Sequence, residues 1–213
     1  MWDLFAASPL IAWYLFTVWA LLTLLVTELG ALNSHSVEAW GKILTQLSSL
    51  AYIGMIIKVL AVRNLPLTRS YGVVPRLTAI IASNVQLSFF LLPRVALSPL
   101  TEIVSAALIS AGAIASVWIL IWLRKAFSIL PQARALITTG PYRYVRHPLY
   151  IAEGIASVGL MMQFVQPLAT AITLAGFALQ ILRMHYEEKV LIDTFPEYEQ
   201  YRQRTFRLVP GIY

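Results

Sequence analysis

No cysteine occurs among the 213 residues, so disulfides, thiolate nucleophiles and cysteine-ligated metals are excluded from the start. Charge is also scarce. Asp, Glu, Lys and Arg make up 12% of the chain, where a soluble domain carries roughly 25%. Three histidines, His35, His147 and His185, are too scattered to suggest a metal site. The chain lacks G-x-G-x-x-G, Walker and G-x-S-x-G patterns, which removes Rossmann, P-loop and serine-hydrolase readings. No Ser/Gly-rich linker, internal repeat or low-complexity tract divides it. A single polytopic domain over residues 1–213 is therefore expected.

What the chain has is apolar sequence. It is 59% hydrophobic with a mean hydropathy of +0.72, and the apolar residues fall in runs of membrane-spanning length. These runs predict an all-α integral membrane protein of about six segments. The first covers about Pro9 to Leu32; it is too long, and lacks the basic start, for a signal peptide. The second is Gly41–Val62. The third, about Val73 to Leu92, carries Asn84, Gln86 and Ser88, polar groups that need partners inside the bundle. The fourth, Leu100–Leu123, has Ala107, Ala111 and Ala115 at four-residue spacing beside Gly112, a pattern that lets helices approach closely. The fifth, from Leu149 to about Phe164, is short. Pro167 separates it from a sixth that runs to about Met184, and the two read as a helical hairpin. A soluble tail then begins at Glu187, where Val190, Leu191, Phe195, Tyr198 and Tyr201 offer an apolar face.

An even number of segments puts both termini on one side. The loops on that side collect thirteen Lys and Arg residues, from Arg63 to Arg207, against Lys42 and Arg94 opposite. This asymmetry assigns the populated side, with both termini, to the cytoplasm, of a bacterial inner membrane by expectation. The net charge of +6 accordingly reports topology and lipid headgroups, and no nucleic-acid partner is expected.

Three features converge on the cytoplasmic mouth. The first is Gly140–Tyr150, GPYRYVRHPLY, a turn whose glycine and two prolines forbid a continuous helix. Arg143, Arg146 and His147 are costly in hydrocarbon, so this turn lies at an interface or lines a polar cavity. The second is RMHYEEKVL at the end of the sixth segment, where Arg183 and Glu187 share a helix face. Taken alone, that pair is an ordinary i,i+4 ion pair, and Glu188, about 100° away, reads as solvated or capping. The third is the tail.

Together, GPYRYVRHPLY, then R-x-x-x-E-E-x-x-L, then F-x-E-Y-x-x-Y resemble the isoprenylcysteine carboxyl methyltransferase family and the wider group of phospholipid N-methyltransferases. The resemblance covers about residues 100–213; residues 1–99 match only in being hydrophobic. It implies a methyltransferase using S-adenosyl-L-methionine at the cytosolic face, with a site formed by the turn before the hairpin and by the tail. The cofactor would meet Arg134, Ala135, Leu136, Ile137, Tyr142, His147, Pro148, Leu149, Tyr150 and Glu187. Arg183 would orient the acceptor, a lipid-like molecule of isoprenylcysteine type reacting at its carboxylate. Ala152 stands where the family often has Gly. The residue types suit this chemistry: a carboxylate takes the cofactor's ammonium, rings pack on adenine or sulfonium, and a planar guanidinium grips a carboxylate. Two further readings are a phospholipid N-methyltransferase and an NADPH-dependent sterol or enone reductase; Glu153 suits the reductase, whereas Leu149 replaces the Asn usual there. A non-enzymatic membrane protein of the same fold is the remaining reading.

Overall fold

In a computed structural model the described residues are 2–30, 37–69 and 72–211. His35 and Tyr213 lie outside them. The architecture is helical: α1 (Trp2–Gly30), α2 (Val37–Val62), α3 (Val74–Asn84), α4 (Pro99–Leu123), α5 (Pro148–Met161), α6 (Leu168–Thr194) and α7 (Tyr198–Arg204). A seven-residue 3-10 run, Val85–Leu91, continues α3. Four stretches, Ile11–Gly30, Ala39–Val62, Pro99–Ala126 and Leu168–Thr194, are long and apolar enough to cross a membrane. α5 has 14 residues, about 21 Å at helical rise against a hydrocarbon core of about 30 Å. The chain is an integral membrane protein.

The helices have two distinct ends. At one, β1 (Thr68–Arg69) pairs antiparallel with β2 (Gln132–Ala133), and Asn64 N–H donates to the Lys125 carbonyl at 2.9 Å. The loop after α2 thus pairs with the segment that leads from α4 towards α5. At the far end Arg94 bridges Phe164, Val95 N–H donates to the Gln163 carbonyl, and Phe89 stacks on Phe164 at 5.0 Å. Lys42 pairs with Glu102 there, at 3.1 Å, joining the starts of α2 and α4.

Close packing falls on other residues than the alanine stripe. Ala107 and Ala111 are exposed, and the buried face of α4 carries Ser105, Ala106, Ile109, Gly112, Ala113 and Ser116. The reason is the partner's position. α4 packs on both α2 and α5, and a Cβ on Gly112 would come within 2.5 Å of the Ala152 carbonyl and 2.6 Å of the Ala156 nitrogen. Ser105 donates to the Gly159 carbonyl at 2.8 Å, repeating the close contact two turns away. Ala152, 2% exposed, keeps the approach that the substitution for Gly put in question.

The connection between α5 and α6 is short, as the hairpin reading requires, but α5 packs chiefly on α4 and α6 on α3 with its 3-10 extension. The polar residues of that third segment bond mostly to their own helix: Asn84 to the Ile80 carbonyl and Ser88 to that of Val85. Gln86 reaches across to Ser157 of α5. α6 continues ten residues past Met184, so the expected soluble tail begins as helix. An amphipathic last turn explains the difference, since Val190 is buried while Lys189 is exposed.

Candidate active site

The turn is set by local chemistry. Gly140 has φ +62°, and a Cβ there would lie 2.4 Å from the Trp122 ring, so only glycine combines this backbone conformation with this contact. Pro141 and Pro148 open a short 3-10 turn and α5 respectively. Between them the chain runs extended enough for Val145 to form a parallel bridge with Phe206. Arg146 N–H donates to the Phe206 carbonyl at 2.8 Å and His147 N–H to the Arg207 carbonyl at 3.1 Å. The tail is therefore stitched to the motif by backbone bonds. Tyr201 adds a hydroxyl bond to the Tyr142 carbonyl at 2.6 Å. Burial pushes the Tyr201 hydroxyl up to about 12, so it stays a donor across the physiological range.

Glu188 corrects the sequence reading. It is 7% exposed and is neither solvated nor a cap. Arg146 Nε meets its Oε1 at 2.8 Å, His147 Nε2 the same oxygen at 3.1 Å, and Arg207 Nη2 its Oε2 at 3.2 Å. Arg146 also donates to the carbonyls of Arg202 and Thr205. A buried carboxylate held by two guanidinium groups and an imidazole is a structural anchor that holds turn, α6 and tail together. The helix-face argument correctly separated Glu188 from Glu187; the tail's return over the turn, invisible in local sequence, converts an outward face into a buried one.

Glu187 faces a cavity of about 910 Å³. Tyr150 donates to its Oε1 at 2.8 Å and Arg183 Nε at 3.0 Å. Its Oε2 lies 4.0 Å from His147 Nδ1, beyond a hydrogen bond. Arg183 is buried, donates through Nη1 to Ser83 of α3 at 2.9 Å, and stacks over the Tyr150 ring at 5.2 Å. The cavity wall also includes Ala135, Leu136, Ile137, Tyr142, His147 and Leu149. Arg134 and Pro148 are buried beside it without forming its wall. Arg134 instead donates to Gln132 at 2.7 Å in β2. His185 is exposed and rests against Tyr186.

Sequence reasoning missed several groups. Tyr198, read from the sequence only as part of the tail's apolar face, is 1% exposed, lines the cavity, and its hydroxyl has no hydrogen-bond partner among the described residues. Deeper in the wall, Tyr52 of α2 donates to Glu153 of α5 at 2.7 Å, and Gln180 of α6 approaches its other oxygen at 3.5 Å. The period of α6 was the available signal for Gln180, one turn before Arg183.

A polytopic helical membrane protein with a large internal cavity, walled by α1 and α2 as well as by the motif turn, α5 and α6, is the class these features define. Within it, residues 100–198 match the phospholipid methyltransferase family. The nickel-cobalt-cadmium resistance protein NccN of Alcaligenes xylosoxydans is 34% identical over 83 residues, 38% of either chain. The cobalt-zinc-cadmium resistance protein CzcN of Cupriavidus metallidurans is 34% identical over 36% of each. A probable protein-S-isoprenylcysteine O-methyltransferase of Oryza sativa is 40% identical over 36% of this chain and 41% of that protein. The chain thus matches well under half the length of these relatives. Among solved structures, the eukaryotic intramembrane Ras methyltransferase is similar with a TM-score of 0.47 at 16% identity, over 93% of this chain and 85% of that one.

Proposed function

We propose that this protein is a membrane methyltransferase that uses S-adenosyl-L-methionine and methylates an amphiphilic acceptor at the cytosolic face, by carboxyl O-methylation of an isoprenylcysteine-type head. The observation that carries the reading is the Glu187 carboxylate in the cavity wall, one oxygen bonded by Tyr150 and Arg183 and the other left open, inside the region that matches the family.

The residues present suit the cofactor. Glu187 offers a carboxylate to an ammonium, Tyr142 and Tyr150 offer ring faces, and the unpartnered Tyr198 hydroxyl offers a donor where burial otherwise makes one costly. The bound cofactor would supply an activated methyl on a sulfonium. What the chain supplies is position and dryness. Ile137 and Leu149 wall out water, and Arg183, braced by Ser83, presents a fixed guanidinium to an anionic acceptor group. The acceptor's apolar chain would lie among cavity residues such as Leu21, Ile53 and Phe89. Six crossings with both termini in the cytoplasm of a bacterial inner membrane complete the proposal, α3 with its 3-10 run and α5 being the two short ones.

Calorimetry of detergent-solubilised protein with S-adenosylhomocysteine and with NADPH tests it. We expect saturable binding of the first, lost in Glu187→Gln, and none of the second. Binding of NADPH alone would move the chain to the reductase class.

A further inference from the structure

The cavity that Glu187 faces extends far beyond it. On α4 its wall follows one helix face through Glu102, Ala106, Ile109, Ala113, Ser116 and Leu123. That is a length of about 32 Å at helical rise, against a hydrocarbon core of about 30 Å. At the far end the wall reaches Arg94 and Ala96, both exposed, and the Lys42–Glu102 pair between the starts of α2 and α4. One cavity thus joins the far surface to the Arg183–Glu187 pair. Its polar groups lie in a row. Lys42, Gln46, Ser49 and Tyr52 share one face of α2, all in the wall, and rise about 15 Å from the far mouth. Leu44, Leu47 and Ala51, on the opposite side of that helix, are exposed and outside the wall. At Tyr52 the row passes to α5 and α6. The Tyr52 hydroxyl donates to Glu153 at 2.7 Å, Gln180 approaches the same carboxylate at 3.5 Å, and Arg183 lies one turn further along α6. A prenyl or acyl tail needs none of these groups. A polar head at hydrocarbon depth does, because each hydrogen bond it gives up to water must be replaced.

Resting on the methyltransferase reading and its six crossings, we propose that this cavity is the acceptor's way in from the non-cytoplasmic face. The polar head of an amphiphile from that leaflet travels along Lys42, Gln46, Ser49 and Tyr52 to Arg183. Its chain trails among the apolar residues of the opposite wall, such as Leu21 and Phe177. Methyl transfer still takes place at the cytosolic end, so cofactor and acceptor reach the reacting centre from opposite sides of the membrane. The acceptor is accordingly a lipid displayed on the outer side, and the reaction that supplies it is one that builds or delivers its head there.

Because the chain has no cysteine, the row can be probed one position at a time. Gln46→Cys, Ser49→Cys and Tyr52→Cys are treated in intact cells with trimethylammonioethyl methanethiosulfonate, an impermeant thiol reagent whose ammonium is itself the size of a lipid head. Leu47→Cys and Ala51→Cys are the lipid-facing controls at the same depths, and Ala96→Cys marks the outer face. We expect the three row positions to react from outside and the two controls at least about tenfold more slowly, since a thiol facing hydrocarbon stays un-ionised. A melting-temperature rise with S-adenosylhomocysteine confirms that each variant is folded, and Thr45→Cys, also in the wall, replaces any that is not. In purified protein saturated with S-adenosylhomocysteine, N-acetyl-S-farnesylcysteine or a short-chain phosphatidylethanolamine is then added at ten times its Kd. The one that is the acceptor's analogue should slow labelling of Gln46→Cys about tenfold, because only the free fraction reacts. Row positions that label only after lysis, equal rates on both sides of α2, or protection by neither amphiphile overturns the inference. Failure of S-adenosylhomocysteine to bind the parent protein overturns the methyltransferase reading instead, and the labelling pattern in cells does not depend on it, so the two failures are distinct.

Discussion

Two adjacent carboxylates on α6 do different work because they point into different surroundings. Glu187 meets the cavity, and Glu188 meets Arg146, His147 and Arg207. Removing charge at each should therefore fail in different ways. Glu187→Gln keeps the shape, so S-adenosylhomocysteine affinity should fall by about 1.5–3 kcal/mol with little change in melting temperature; calorimetry beside a thermal melt separates the two. Glu188→Gln leaves buried cations without their partner and should cost about 3 kcal/mol of stability, seen as an earlier melt and loss of the tail's protection in hydrogen exchange. Arg183→Ala should abolish turnover while cofactor affinity changes little, and Arg183→Lys should rescue poorly, because one ammonium cannot serve Ser83, Glu187 and an acceptor in a planar fork. A parallel fall of kcat and of kcat/KM in steady-state assays is the expected signature.

At the scale of elements, turn and tail form one unit. Gly140 fits against Trp122 at the end of α4, and residues 205–207 run beside 144–147. Gly140→Ala should destabilise by about 2 kcal/mol or more, from the left-handed backbone and the ring contact together. Its check is a melt in which Gly211→Ala, which also has positive φ but meets nothing within 4 Å, falls less. How much of this was legible follows from the same elements. GPYRYVRHPLY announced a fixed cationic turn, and the 3.6-residue period put Arg183 beside Glu187. Glu188 was misjudged because its burial depends on a pairing between residues about 20 and 40 positions away on either side. The alanine stripe misled because a spacing of four marks a helix face without saying which neighbour occupies it. Gly112, next to that stripe, held the answer, and only the placement of α5 reveals it.

At the scale of the whole molecule, the arrangement has a charged end and a sparse end. The end with Thr139 and the two short strands gathers most cations, and the end with Ala96 has Lys42 and Arg94. The absence of native cysteine makes the sidedness directly measurable. Single cysteines at the exposed positions Thr139 and Ala96 should react oppositely with a membrane-impermeant maleimide in intact cells: Ala96→Cys from outside, Thr139→Cys only after lysis. Labelling of both from one side would end the six-crossing proposal, since the segments between them would no longer separate two compartments.

The backbone bridge between Val145 and Phe206 also imposes an order in time. Residues 144–147 leave the ribosome some sixty residues before 205–207 do, and by then every apolar helix from α1 to α6 has been delivered to the membrane. Until that late strand arrives, His147 and Arg146 have no backbone partners and Glu188 lacks Arg207. The nascent protein is thus inserted before turn and tail are joined, and a chain stalled after Arg204 should be a correctly threaded intermediate in which the proposed cofactor site is still unassembled.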